Sequence, residues 1–166
     1  MRYDFDTIVD RRNTGSSKWD LSPAPVRKAG VPPLSVADME FMIAPEIQSA
    51  LKKAAFQIPG YTLPDKEYLD AVTVWMQKRH GWTIDPNWVC PANGVVAALS
   101  IAARAFTEPN DAVVIQPPVY YPFRSVVEKN DRKLLENPLV RTENGYRMDF
   151  AQLERLCGRA ETKMLL

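Results

Sequence analysis

Two short stretches of this chain carry residue types and spacings that could do chemistry. The first is Pro91-Ala92-Asn93-Gly94-Val95-Val96-Ala97-Ala98-Leu99, a glycine at the mouth of an apolar, small-residue helix. The first turn of a helix has unpaired N–H groups and the positive end of the helix dipole, so it suits a phosphate. Gly94 lets the backbone approach closely, and Ala97 and Ala98 let the helix pack behind the anion. The second stretch is Gln116-Pro117-Pro118-Val119-Tyr120-Tyr121-Pro122-Phe123, a rigid proline turn with aromatics after a short β-branched run. Ligands sit at strand ends in parallel sheets. An aromatic there, Tyr120, is placed to stack on a flat ring. Each feature alone has an ordinary alternative, a turn glycine and a core or interface tyrosine. Together they read as a cradle and a platform for a flat, phosphate-bearing ligand.

These residues must be positioned by an α/β scaffold. Residues 1–34 lack periodicity and read as an extended arm that docks through Tyr3, Phe5 and Trp19. Residues 34–39 read as a short strand running into a loop. Pro45 suits the first position of a helix. Ile47, Ala50, Leu51, Ala54 and Ala55 then recur on one face, and the helix ends before Pro59-Gly60. A second helix begins near Pro64-Asp65, with Leu69, Val72, Trp75 and Met76 on its buried face. Lys78, Arg79 and His80 in its last turn and Gly81 after it are stop signals. His80, the single histidine, reads as a cation near a helix C-terminus rather than a catalytic group. Residues 94–106 form a helix apolar on nearly all sides, expected to be buried. A strand follows at 112–116, a helix at 121–130 and a strand at Leu134-Leu135. Asn144-Gly145 marks a turn. Asp149 caps a helix running through Leu156 and Cys157, with Gln152 completing a capping box. Met164-Leu165-Leu166 opens a buried strand. Alternating helices and short strands imply an α/β fold with a largely parallel sheet.

Composition sets outer limits. The 166 residues are 46% hydrophobic and 25% charged, as in ordinary globular proteins. Lys plus Arg number 21 against 20 Asp plus Glu, which argues against a nucleic acid or an anionic membrane as the main partner. The N-terminus has no apolar signal region, and no run approaches a membrane span. Cys90 and Cys157 fit no metal or redox spacing and are expected to be buried or half-buried thiols in a reducing cytoplasm. No metal is expected. The 14 prolines, among them Pro23 and Pro25, are scattered as loop punctuation rather than gathered in a tract.

The combination of motifs resembles the MalY/PatB-like cystathionine β-lyases, a branch of the fold type I pyridoxal 5'-phosphate (PLP) enzymes related to aspartate aminotransferase. The matching segments are Tyr3-Asp4-Phe5-Asp6, Asp10-Arg11-Arg12, Gly15-Ser16-Ser17-Lys18-Trp19-Asp20 and Val36-Ala37-Asp38-Met39-Glu40-Phe41. They continue with Gly60-Tyr61-Thr62, Trp75-Met76, Arg79-His80-Gly81-Trp82, Gly94-Val95-Val96, Ala103-Arg104-Ala105-Phe106, Pro118-Val119-Tyr120 and Pro122-Phe123. They cover the chain in order. The resemblance implies a three-layer α/β/α large domain preceded by an N-terminal arm, with residues 1–44 as the arm and small-domain segment and residues 45–166 as the first part of the large domain. It implies that Gly94, Val95 and Val96 hold the PLP phosphate through their backbone amides and that Tyr120 stacks on the pyridine ring. Tyr61 would reach the phosphate of the neighbouring subunit, making the active unit a homodimer. Ala37 and Asp38 would contact the substrate. The family often carries Thr-Pro or Ser-Pro before Gly-Val-Val. This chain has Ala92-Asn93, so a hydroxyl is absent there and Asn93 is available to cap the helix.

The implied activity is β-elimination from a sulfur amino acid, giving a thiol, pyruvate and ammonia. That chemistry needs a lysine to hold the cofactor, a carboxylate facing the pyridinium nitrogen and a cation for the substrate carboxylate. The family places these in later segments, and no catalytic residue is expected within residues 1–166. Lys18, Lys52, Lys66 and Lys129 read as solvated charges. Asp38 and Glu40, alternating along an extended segment, are expected to point to opposite sides. The chain is therefore expected to be the N-terminal part of a longer enzyme and to be inactive alone. An aminotransferase uses the same cofactor site and is the nearest alternative. A truncated relative serving as a dimerisation or binding module is the non-enzymatic one.

Overall fold

The computed structural model describes residues 3–21 and 31–166; Pro23 and Pro25 lie outside the described residues. The chain divides into two compact units, Met1–Thr62 and Leu63–Leu166. The sequence-based division at residue 44 differs from this one in where the first long helix falls.

In the first unit the arm is organised by side chains rather than by a ladder. The Asp4 carboxylate accepts from the Asp6 and Thr7 amides at 3.0 and 2.9 Å. The Asp20 carboxylate accepts from the backbone amides of Asn13, Thr14, Gly15 and Ser16 at 2.8–3.1 Å, closing a tight turn. Asn13 and Gly15 in that turn have φ of 61° and 78°. Short helix α1 (Ser17–Asp20) follows, with Ser16 as its cap. Docking of the arm is as expected. Phe5 meets Phe41 edge-on at 5.6 Å, and the Trp19 indole donates to Glu40 Oε2 at 3.0 Å. The strand expected at 34–39 is not formed. The Val9 amide donates to the Glu40 carbonyl at 3.1 Å, and β structure needs a repeating ladder rather than one bond. Helix α2 (Pro45–Ala55) starts with proline in its first turn and carries Glu46 there, with Lys52 and Lys53 in its last turn. Those charges complement the helix dipole.

The second unit opens with α3 (Lys66–His80). The Asp65 side chain accepts from the Tyr68 amide, and Gly81, at φ 62°, donates to the Gln77 carbonyl. Leu69, Val72 and Met76 are half-buried as expected. Trp75 is exposed, with the Arg79 guanidinium 5.0 Å from its ring centre. A 3-10 turn (Pro86–Trp88) leads to α4 (Val95–Phe106), β1 (Ala112–Ile115), α5 (Pro122–Glu128) and β2 (Lys133–Glu136). The hairpin β3 (Val140–Thr142) and β4 (Gly145–Arg147) turns at Asn144-Gly145. Helix α6 (Phe150–Cys157) has the expected cap, Asp149 accepting from the Gln152 amide at 2.9 Å. Strand β5 (Thr162–Leu165) ends the described elements.

The sheet order is β2-β1-β5, all parallel. Parallel neighbours require helical crossovers, which α5 and α6 supply. Central β1 is buried at all four positions, and Val113, Ile115 and Val127 form the core with Val119, Phe123, Leu134, Met164 and Leu166 against it. Three expectations need correction. Helix α4 is buried only at Ala103, because α5 and β5 cover just part of an apolar circumference. Strand β5 alternates half-buried and exposed positions, because it lies at the sheet edge. Cys90 and Cys157 are both exposed, one in an extended segment and one in the final turn of α6.

Candidate functional site

The stretch expected to cradle a phosphate is the start of α4. Gly94 is its N-cap at φ 92° and ψ 156°, a conformation that a side chain would strain. A Cβ placed there meets nothing within 4 Å, so the space before the helix is open. No side chain caps this helix. The expected alternative cap, Asn93, does not form, because the sharp turn, with the Gly94 amide donating to the Ala92 carbonyl at 2.8 Å, makes Gly94 itself the cap. The first-turn amides of α4 therefore remain available for an external acceptor. Val95 is exposed, so its backbone is approachable.

Tyr120, the expected platform, follows the exit of β1. The last turn of α4 meets the residues that lead into β1 and β2. There the Asn110 amide donates to the Asp131 carbonyl at 2.9 Å and the Arg132 guanidinium donates to Thr107 Oγ1 at 2.8 Å. Tyr120 is 56% exposed, enough to offer a ring face. Tyr121 and Phe123 meet it edge-on, at 5.1 and 6.4 Å between ring centres, and restrain its orientation. The bond between Pro117 and Pro118 is cis. An uncapped helix start suits a phosphate, and a restrained, exposed ring suits a flat ligand.

The other expected site residues belong to the first unit. Tyr61 is fully exposed, between the exposed Ile58 and Leu63. Ala37 is exposed. The Asp38 carboxylate is engaged by Arg11 Nη1 at 2.6 Å and Lys18 Nζ at 3.5 Å. Two sequence expectations fail here. Lys18 is buried rather than solvated. Asp38 and Glu40 do not point apart, since Lys18 Nζ also meets Glu40 Oε1 at 2.6 Å. Strict alternation belongs to regular strands, and residues 38–40 form none. Burial pushes the Asp38 carboxyl up, but Arg11 and Lys18 outweigh it and hold it below its ordinary value. Lys18 and the Trp19 indole hold the Glu40 carboxyl down, and Glu40 above all holds the Lys18 ammonium up.

Sequence reasoning also missed Asn137, which is fully buried and makes three side-chain hydrogen bonds, to the exit of β1 and to the start of α6. Its only sequence signal was an amide beside Pro138 after a strand. Among the described residues no group of His, Cys, Asp and Glu could hold a metal ion, and no helix is long and apolar enough to cross a membrane.

Comparison with known proteins decides the family. Residues 31–166 match the family described as aminotransferase class I and II. The chain belongs to that family. The cystathionine β-lyase PatB of Bacillus subtilis is 47% identical over 151 residues, covering 90% of this chain and 39% of the relative. The protein MalY of Escherichia coli is 30% identical, covering 99% and 43%. Among solved structures, cystalysin from Treponema denticola, which contains pyridoxal 5'-phosphate, superposes with a TM-score of 0.90 at 44% identity, covering 99% of this chain and 43% of that one. A PLP-bound C–S lyase from Staphylococcus hominis superposes with a TM-score of 0.85 at 26% identity, covering 99% and 42%. The α/β fold expected from the sequence is thus the fold of PLP-binding members of this aminotransferase family. The chain spans about two fifths of the length of these relatives.

Proposed function

We propose that this chain contributes the phosphate cradle and ring platform of a PLP-dependent carbon–sulfur β-lyase. The observation that carries the reading is the uncapped start of α4 at Gly94, and the exposed Tyr120 ring after β1 supports it. The names of its relatives support the elimination chemistry. In this reading the amides of Val95 and Val96 bind the phosphate, helped by the helix dipole, while Gly94, whose own N–H is taken by the Ala92 carbonyl, supplies the open turn rather than the amide expected of it. Tyr120 would stack against the pyridine ring. Bound PLP supplies an electron sink for the charge left when an amino acid loses its α-proton. Ala37 and Asp38 contact a small sulfur amino acid, with the Asp38 charge neutralised by Arg11 and Lys18. Tyr61, on its exposed loop, reaches the phosphate of a neighbouring copy, so the working unit is a cytoplasmic homodimer. Residues 1–166 supply binding groups, and the lysine that holds the cofactor comes from outside them.

The test uses the full-length protein carrying this sequence, incubated with PLP and L-cystathionine. The expected result is equimolar pyruvate and thiol, with residues 1–166 alone giving neither. Amino-group transfer to a 2-oxo acid without pyruvate would establish the second reading, an aminotransferase, which the matched family's own description favours. Neither product, with no PLP absorbance retained after dialysis, would leave a non-enzymatic module.

A further inference from the structure

Lys18 occupies an unusual position for a lysine. It retains 7% of its exposure, and long cations are almost never buried without partners. Its ammonium donates to the Asp38 carbonyl at 3.0 Å and lies 2.6 Å from Glu40 Oε1 and 3.5 Å from Asp38 Oδ1. Each of these contacts is with residues 38–40, a stretch with no ladder to define its shape. The clamp is reinforced from the same side of the arm. Arg11 reaches Asp38, Trp19 reaches Glu40, and the Val9 amide reaches the Glu40 carbonyl. The arm is itself locked by Asp20, which ties down four amides just before α1. Lys18 is thus presented by a rigid turn to a segment that otherwise lacks regular structure.

Removing its charge would leave Glu40 without a cation and Asp38 with Arg11 alone, so the two carboxylates would repel each other across a partly buried space. The backbone at 38–40 would then shift, because Arg11, Trp19 and the one Val9 bond would be left to hold a segment with no ladder. We propose that Lys18 is a positioning residue: its ammonium, shared by Glu40 and Asp38, sets the shape of residues 36–41 and through it the affinity for the amino-acid substrate. This rests on the reading of Ala37 and Asp38 as substrate contacts. Lys18 touches neither cofactor nor reacting atoms in this role. Its effect falls on substrate binding and not on the chemical step.

The test uses full-length holoenzyme and the K18M, K18R and E40Q variants. K18M is expected to raise KM for the sulfur amino acid about tenfold, with kcat within about twofold of wild type. It is also expected to speed hydrogen exchange of the 38–41 amides. K18R restores the charge and is expected to recover most of the KM. A K18R protein as impaired as K18M would overturn the assignment to the ammonium. Should K18M fail to fold, E40Q keeps the shape of the side chain and the acceptor for Trp19, and is expected to raise KM severalfold. An unchanged KM in whichever variant folds, with wild type turning over, overturns the proposal. Faster exchange with unchanged KM does so too, reducing Lys18 to a structural role. A wild type without turnover overturns the functional reading and the substrate role together, and is told apart by that absence.

Discussion

The Gln116 side-chain amide donates to Asn137 Oδ1 at 2.8 Å, tying the exit of β1 to the residue that follows β2. Asn137 returns its own amide to the Asp149 carbonyl at 3.1 Å and Gln152 Oε1 at 2.7 Å, and its backbone N–H to the Ile115 carbonyl at 2.9 Å. One buried side chain therefore joins the strand that leads to Tyr120, its neighbour and the start of α6. Replacing Asn137 with Leu leaves those polar groups without their partner. A fully stranded group costs about 1–3 kcal/mol, but these three partners are half-buried and water recovers part of that, so N137L should destabilise the unit by about 2–4 kcal/mol. Urea unfolding of the full-length protein measures this. A loss below about 1 kcal/mol would mean that water replaces the side chain.

Gly94→Ala should act on phosphate affinity. The space around Gly94 is open, so its cost comes from φ 92° rather than from a clash. Holding a non-glycine residue there costs about 1–3 kcal/mol, and relaxing it would turn the first-turn amides away from the anion. The full-length variant should bind PLP about tenfold or more weakly, while its affinity for pyridoxal, which lacks the phosphate, changes little. Absorbance titrations with both ligands separate the two effects. Equal losses for both would place the defect outside the cradle.

Tyr120→Phe and Tyr120→Ala should separate ring from hydroxyl. Stacking is worth about 0.5–1.5 kcal/mol beyond buried area, so Y120A should weaken PLP binding several-fold to tenfold. Y120F keeps the face and the edge contacts to Tyr121 and Phe123, and should bind PLP nearly as wild type does. Should Y120F lose as much affinity as Y120A, the hydroxyl rather than the ring makes the contact.

The arm should loosen in acid and again in strong base. Glu40 and Asp38 have folded-state values below their ordinary 4.5 and 3.8. A lowered carboxylate contributes stability that is complete above its ordinary value and is lost as pH falls through the lowered one. Lys18 is raised above its ordinary 10.5, so its share is complete below that value and lost as pH rises through the raised one. Exchange at 38–41, corrected for intrinsic rates, should be flat between about pH 5 and 10 and accelerate outside that window. K18M should show faster exchange within the window and a weaker acid response. An acid response identical to wild type would remove Lys18 from the linkage.

The local punctuation of this chain was legible because it depends on neighbours three or four residues away. Asp65 and Asp149 cap their helices, Gly81 ends one, and Pro45 opens another, each by a bond or a dihedral set within one turn. The helix start at Gly94 was legible for the same reason. The chemistry of a helix start is contained in a few consecutive residues. Tyr120 was legible only as a position after a strand. Its restraint by Tyr121 and Phe123 follows from how α5 begins.

Other features became visible only in three dimensions. The sequence by itself determined the order of helices and strands, the caps, and the residue types that could meet a phosphate and a flat ring, since these follow from short-range sterics and hydrogen bonding. Tertiary structure alone decided that Lys18 is buried and that Asp38 and Glu40 converge on it, because those residues stand 20 and 22 positions away and share no periodic pattern with it. It also decided that α4 keeps much of its apolar surface exposed, and that Asn137 becomes the joint between β1, β2 and α6. Burial and long-range pairing are properties of what packs against a residue, and a linear pattern states only what a residue can do once something does.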